Sequence, residues 1–242
     1  MNKQKQFTEM DGPVTRVLYS HPVFNAPEPP NDPVATSLSL YSLGSLVEYL
    51  KQNPDGLDRT KVFVRVVSPS SVTLHSPLFG RKQRESLIAA AYLSPLENFL
   101  GSFHSLTDFR IGLGTRFQGG REDDREQILD VLARVRAENS ELSDDNGLSQ
   151  TITAQSGAIT LSREQIQNPV RLSPYRSFPE AGEQVTSEFV LRLQQEKQPG
   201  TVARAALFLA DGGAWEYTAR WQVADFLRTK LTEAEVNVAV YH

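Results

Sequence analysis

Residues 207–227 read LFLADGGAWEYTARWQVADFL. An apolar strand runs into a Gly-Gly turn, and an aromatic-rich helix starts at once. Both tryptophans of the chain, Trp215 and Trp221, fall in this segment. The pattern predicts a strand over 202–210, an amphipathic helix over 214–231 and a last strand over 236–241. In that last strand Val236, Val238 and Val240 share one face. Asp211-Gly212-Gly213 could receive an anion at the helix N-terminus, where free N–H groups point outward. A carboxylate at 211 opposes that, so a tight turn capped by Asp211 is expected instead. Trp215, Tyr217 and Trp221 lie at helical spacing and are expected to pack in a core or an interface.

Working back from this segment, a loop at Glu196–Gly200 reverses the chain. Before it, Phe189, Leu191 and Leu193 alternate with Val190, Arg192 and Gln194 in a strand over Ser187–Leu193. Val170–Leu172 forms another strand. Thr151–Thr153 and Ala158–Leu161 flank the hairpin signal Gln155-Ser156-Gly157. Glu122–Glu138 is the clearest amphipathic helix, with Ile128, Leu129, Leu132 and Val135 on one face. Its N-terminal acids suit the helix dipole. Ser143-Asp144-Asp145-Asn146-Gly147 then breaks the chain direction. Leu96, Phe99, Leu100, Phe103, Leu106 and Phe109 suggest short helices interrupted by Gly101. The apolar run at 85–93 fits either helix or strand.

Further upstream, Leu43, Leu46, Val47 and Leu50 predict a helix capped by Ser42 and ended by Asn53-Pro54-Asp55-Gly56. Lys61–Val67 and Ser71–His75 read as a hairpin turned at Ser68-Pro69-Ser70. Short turns between strands favour antiparallel pairing. The expected fold is α+β: a largely antiparallel sheet with packed amphipathic helices, and not a doubly wound sheet. Residues 37–242 are expected to form a single α+β domain. Residues 1–36 hold Pro13, Pro22, Pro27, Pro29, Pro30 and Pro33, six of the 14 prolines of the chain. That density predicts an extended or flexible N-terminal arm. The apolar patches Val17-Leu18-Tyr19 and Val23-Phe24 mark it as a candidate oligomer contact.

Composition narrows the function classes. A chain of 242 residues with 39% hydrophobic content can bury a substantial core. Its net charge of −4 is unlike a dedicated nonspecific DNA binder, although a local basic patch remains open. The chain contains no cysteine, which excludes disulfides, thiolate metal sites and cysteine nucleophiles. The opening MNKQKQFTEMDG has no apolar run after its charges and is not expected to be a secretory signal. No stretch reaches the ~18 apolar residues needed to span a bilayer. A cytoplasmic protein with no membrane partner is expected.

Motifs for catalysis are sparse. His21, His75, His104 and His242 form no close metal-ligand pair. The acids Glu122, Asp123, Asp124 and Glu126, and again Asp144 and Asp145, resemble paired carboxylates. Their place at helix ends predicts capping rather than metal chemistry. Asp144-Asp145-Asn146-Gly147 lacks the ligand alternation of a calcium loop. Ser156 is outside any GxSxG, Gly112-Leu113-Gly114 lacks the third glycine of a dinucleotide fingerprint, and no phosphate-binding GxxxxGK[ST] occurs. No catalytic residue, metal or cofactor is expected. The densest basic cluster is Gly80-Arg81-Lys82-Gln83-Arg84, beside Phe79. A solvated turn would account for it, while Arg81, Lys82 and Arg84 are candidates for nucleic-acid or anion contact. Arg110, Arg116 and Arg121 could extend such a patch.

Four segments carry a family resemblance: VFVRVVSPSSVTLHSPL (62–78), DDNGLSQTITAQSGAI (144–159) after the acidic helix, NPVRLSPYRSFPE (168–180) and LFLADGGAWEYTARWQVADFL (207–227). Together the chain resembles, over roughly residues 38–231, the phage and prophage family that includes YfdQ. The resemblance implies a phage or prophage genome in a bacterial host and brings no catalytic residues with it. The leading expectation is a non-enzymatic homo-oligomer used for assembly or binding. A nucleic-acid-binding accessory factor in phage recombination or replication is the second. A binder or inhibitor of a host defence protein is the third.

Overall fold

Hydrophobic alternation on a hairpin, met by two helices from opposite ends of the chain, organises the first half of the fold. The computed structural model describes residues 36–79, 83–120, 123–135, 140–143, 150–156, 159–194 and 204–242. The chain divides between Thr36 and Ser37, and the unit Ser37–His242 is the one described below. The arm residues Val17, Leu18, Tyr19, Val23 and Phe24 lie outside the described residues.

The first sheet contains β1 (Leu38–Leu40), β2 (Phe63–Ser68), β3 (Ser71–His75), β4 (Ser86–Ala91) and β13 (Ala239–Tyr241), in the order β1-β4-β3-β2-β13. The central pairs β2–β3 and β3–β4 are antiparallel, whereas the outer strands β1 and β13 pair in parallel. The run at 85–93 is therefore a strand. Helix α1 (Leu43–Gln52) starts at Ser42, whose side chain accepts from the Ser45 N–H, and ends at Asn53 in the left-handed region. Helix α4 (Trp215–Glu233) is the long C-terminal helix. Leu43, Leu46 and Leu50 of α1 and Val223, Ala224, Leu227 and Leu231 of α4 form one core with Val64, Val66, Val72, Leu74, Ile88 and Ala90 of the sheet. Each fully buried Leu or Val contributes about 1.5–3 kcal/mol relative to exposure.

The second sheet is antiparallel throughout, in the order β5-β12-β11-β10-β6. Its strands are β5 (His104–Ser105), β6 (Phe117–Gln118), β10 (Val170–Pro174), β11 (Ser187–Gln194) and β12 (Arg204–Leu209). Helices α2 (Leu106–Arg116) and α3 (Arg125–Val135) accompany it. Phe189, Leu191 and Leu193 all point into this second core with Phe99, Phe109, Phe117, Ile128 and Leu132. A third sheet, β7-β8-β9, comprises Ser140–Ser143, Gln150–Ser156 and Ile159–Ile166. The chain is thus a mixed α+β protein with mostly antiparallel sheets and four helices among the described residues.

Several boundaries differ from the sequence reading. Strands β1 and β7 were not anticipated; both are short, and β1 gains its hydrogen bonds only from distant β4. The last strand pairs over Ala239–Tyr241 alone, because Val236 and Val238 close the first core before pairing begins. Residues 95–101 form turns rather than helix. Helix α2 continues through Gly112-Leu113-Gly114 for a packing reason: a Cβ at 112 would run into the buried Phe99 ring. Tyr217 and Trp221 are 65% and 48% exposed, so they are not core residues. Helix α4 buries Ala219, Val223, Ala224, Leu227 and Leu231 instead.

Gly112 and Gly114 separate packing from helix propensity. A Cβ at 114 meets nothing within 4 Å. Gly114→Ala should stabilise the protein by up to about 1 kcal/mol through helix propensity alone. Gly112→Ala gains the same propensity but overpacks the core at a cost of about 1–3 kcal/mol. Denaturant titration should therefore move the two midpoints in opposite directions.

Candidate functional site

Strand register decides what the first sheet shows on its other face. Phe63 pairs with His75 and Arg65 with Thr73 across β2–β3, while Ala239 and Tyr241 of β13 pair with Phe63 and Arg65. Side chains alternate along a strand. With Val64, Val66, Val72 and Leu74 committed to the core, Phe63, Arg65, Thr73, His75 and Tyr241 must stand on the opposite face. Ala89 and Ala91 of β4 share that face through their pairing with Thr73 and Ser71, and Ser39 of β1 joins them beside Ala89. The β1–β4 side is accordingly flat and small, and the β3–β2–β13 side carries the rings.

Those rings touch. Phe63 and His75 are stacked with centroids 5.3 Å apart and planes at 27°. Phe63 and Tyr241 meet edge to face at 5.5 Å and 78°. Tyr241 is 59% exposed and Phe63 is half-buried. The Arg84 guanidinium lies over the Phe63 ring, 4.5 Å from its centroid, and its Nη1 donates to the Ser76 carbonyl at 2.9 Å. Arg65 is exposed next to it. At the end of β13, Arg228 Nη2 donates to the Val240 carbonyl at 3.0 Å and lies 3.1 Å from His242 Nδ1. Cations therefore border an aromatic row that crosses three neighbouring strands.

Of the basic cluster identified in the sequence, Arg84 belongs to this face of the fold. The β3–β4 hairpin extends beyond the strands, with Phe79 and Gln83 exchanging both backbone hydrogen bonds. Leu78 and Phe79 are exposed on the extension. Arg84 at its base reaches the ring row, and Arg81 and Lys82 lie outside the described residues. Arg116 does not extend the patch, because it stacks on Phe99 at 4.8 Å in the second core. Arg121 is outside the described residues.

His75 feels both arginines. Burial chiefly holds its pKa below the ordinary 6.5, with Arg65 and Arg84 acting in the same direction and a hydrogen bond to the Glu85 backbone opposing. Its Nε2 is 2.8 Å from the Thr73 hydroxyl oxygen. At neutral pH it is an uncharged ring fixed in orientation.

Other candidates resolve into structural roles. Asp123 accepts from the Gly120 and Arg125 N–H groups, and Asp124 exchanges hydrogen bonds with the Arg171 backbone across to β10. Glu126 pairs with Arg125 at 3.0 Å. Glu122, Asp144 and Asp145 lie outside the described residues. No group of three or more His, Asp or Glu able to hold a metal occurs among the described residues. Asp211 Oδ1 accepts from the Gly213 N–H at 2.9 Å, and Gly212 and Gly213 have φ of 63° and 86°. Asp211 thus caps the tight turn expected from the sequence, while the helix itself starts after Ala214 with no side-chain cap. Arg176, 7% exposed, stacks on Trp215 at 3.6 Å and donates to the Val185 carbonyl and the Ser187 hydroxyl. Burial pulls its guanidinium down to about 10, while Asp211 and Glu216 oppose the shift, so it stays charged at neutral pH. It tightens the turn from the adjacent loop. His104 stacks on Phe99 and bonds the Phe99 carbonyl oxygen at 2.9 Å.

Phe63, Arg65 and Tyr241 were not singled out in the sequence. The signal existed: VFVRVV alternates so that Phe63 and Arg65 oppose Val62, Val64 and Val66, and the valines of 236–240 leave Tyr241 on the other face. That no helix among the described residues packs on that face is what sequence alone does not show. Among the described residues, no helix is long and apolar enough to cross a membrane. Comparison with family models, curated proteins and solved structures finds no match for the chain.

The His75 shift has a definite sign. Unfolded chain takes up a proton at His75 near 6.5, and folded chain resists it to lower pH. The stability linked to this ring is complete above 6.5 and shrinks as pH falls below it. An NMR titration should place the His75 midpoint below 6.5, and a midpoint at or above that value would contradict the geometry.

Proposed function

We propose that the protein binds nucleic acid through the open face of its first sheet and the Arg84 side chain beside it, acting by binding rather than by catalysis. The observation that carries this reading is the row His75–Phe63–Tyr241 bordered by Arg65 and Arg84. Aromatic faces provide sequence-tolerant stacking, and flanking arginines neutralise phosphates. The setting we propose is a phage or prophage accessory role in the host cytoplasm, on the strength of the four resembling segments.

Fluorescence anisotropy with labelled oligonucleotides tests the reading. Affinity should fall as salt rises, with a slope of roughly −0.7 to −0.9 per neutralised phosphate. Arg65→Ala and Arg84→Ala should each weaken binding and flatten that slope by about one contact. Failure of both single-stranded and duplex DNA and RNA to bind at low salt would remove the proposal.

A second reading, self-assembly, is favoured by the third sheet. Strand β9 is eight residues long and, among the described residues, pairs on one edge only, with β8. An unpaired edge of that length is a template for a strand from another copy. Light scattering at micromolar concentration should then give a mass above the 27.0 kDa of one chain. A clean monomer would sink this reading and leave the first untouched.

A further inference from the structure

Resting on the nucleic-acid reading, we propose that the open sheet face is selective for unpaired bases, with Phe63 and Tyr241 as two stacking platforms and Arg84 occupying the Phe63 platform until a base arrives. The angle between the rings decides the class of nucleic acid. Phe63 and Tyr241 are inclined at 78°, so bases lying flat on each are splayed by a similar angle. Neighbouring bases of a duplex are parallel and cover one another's faces. A duplex can bring only its phosphates to Arg65 and Arg84, whereas a single strand can turn successive bases onto differently inclined rings.

Access to Phe63 depends on Arg84. His75 stacks on Phe63 at 5.3 Å, and the Arg84 guanidinium lies 4.5 Å from the same ring's centroid. A base sandwiched between Phe63 and Arg84 needs about two stacking distances, roughly 7 Å, so Arg84 must move outward. Arg84 is exposed, so outward movement meets no packing and costs the hydrogen bond from Nη1 to the Ser76 carbonyl, which water can replace. A flat cation already stacked on the ring holds the place of a base, and once displaced it is positioned to cover the base or pair with its phosphate. Charge complementarity with Arg65 and Arg84 commits the face to a polyanion. The flat side formed by Ser39, Ala89 and Ala91 leaves room for the strand to leave the ring row.

The test uses the full chain with labelled oligothymidylate, oligouridylate and a DNA duplex of equal length, each across a salt series. Both single strands should bind more tightly than the duplex, and the comparison between them reports whether DNA or RNA is preferred. Tyr241→Leu should weaken single-strand binding about tenfold while leaving duplex binding and the salt slope unchanged, because stacking releases no counterions. Phe63→Leu should do the same, and Tyr241→Leu keeps the test decisive if the half-buried Phe63 variant folds poorly. Equal affinity for duplex and single strands, with no effect of Tyr241→Leu, would overturn the stacking inference and leave arginine-dependent nucleic-acid binding standing. Absence of binding to all three probes would overturn both. A change of mass in light scattering on Tyr241→Leu, without nucleic-acid binding, would assign the face to a second copy of the chain and overturn the proposal.

Discussion

One-sided burial of the first sheet is the constraint on which the rest depends. Helices α1 and α4 come from opposite ends of the unit and cover the same face, the one lined by Val64, Val66, Val72, Leu74, Ile88 and Ala90. Since strand side chains alternate strictly, a one-residue slip of the hairpin would bring Phe63, Arg65 and His75 under the helices and turn the valines outward. Burying Arg65 there would cost several kcal/mol without a partner. The hydrophobic pattern thus determines the pairing and, through it, the composition of the face left uncovered.

The two cores are joined by polar contacts as well as by chain connections. Between β10 and β11, buried Gln184 accepts through its side-chain oxygen from the Arg176 and Ser177 N–H groups, and its own N–H donates to Gln118 of the second sheet. Phe178 from the same loop enters the first core, and Glu180 accepts from the N–H of Gly44 at the start of α1. Arg176 presses on Trp215 at the start of α4. Gln184 is satisfied in this cluster, whereas the buried Arg176 Nε has no hydrogen-bond partner, a cost of about 1–3 kcal/mol that the stacking on Trp215 and the Nη2 hydrogen bonds offset. The cluster fixes where α4 begins, and α4 is the main cover of the first sheet's inner face. The Gly-Gly turn therefore has a positional role in the fold.

Much of this was legible from periodicity. Leu43, Leu46 and Leu50 marked α1, and Phe189, Leu191 and Leu193 marked β11, because in each the spacing states which side is buried. Strand β1 was not legible: three residues paired in parallel with a strand some fifty positions away leave no local pattern. Gly112 read as a weak motif fragment, yet its purpose is the close approach of Phe99, a contact between distant elements. At the site, Arg84 was visible as part of a basic run. Its platform was not, since Phe63 and Tyr241 lie far apart in sequence and become neighbours only when β13 adds alongside β2. Tyr217 and Trp221 show that helical spacing of aromatics does not by itself place them in the core, where the smaller Ala219, Val223 and Ala224 pack instead.

The net charge of −4 does not weigh against an anionic ligand on this face. At physiological ionic strength charges are screened beyond about 8 Å, so a bound phosphate responds to the groups within its own neighbourhood rather than to the total. On the ring row, Arg65 and Arg84 both act on the titration of His75. Stacking on uncharged rings is insensitive to the distant acids altogether. A modestly acidic chain with a cationic aromatic face should therefore bind weakly to polyanions in general and gain its affinity where bases are free to stack. A strongly basic chain would lose that distinction, because phosphate contacts alone would hold duplex and single strand alike.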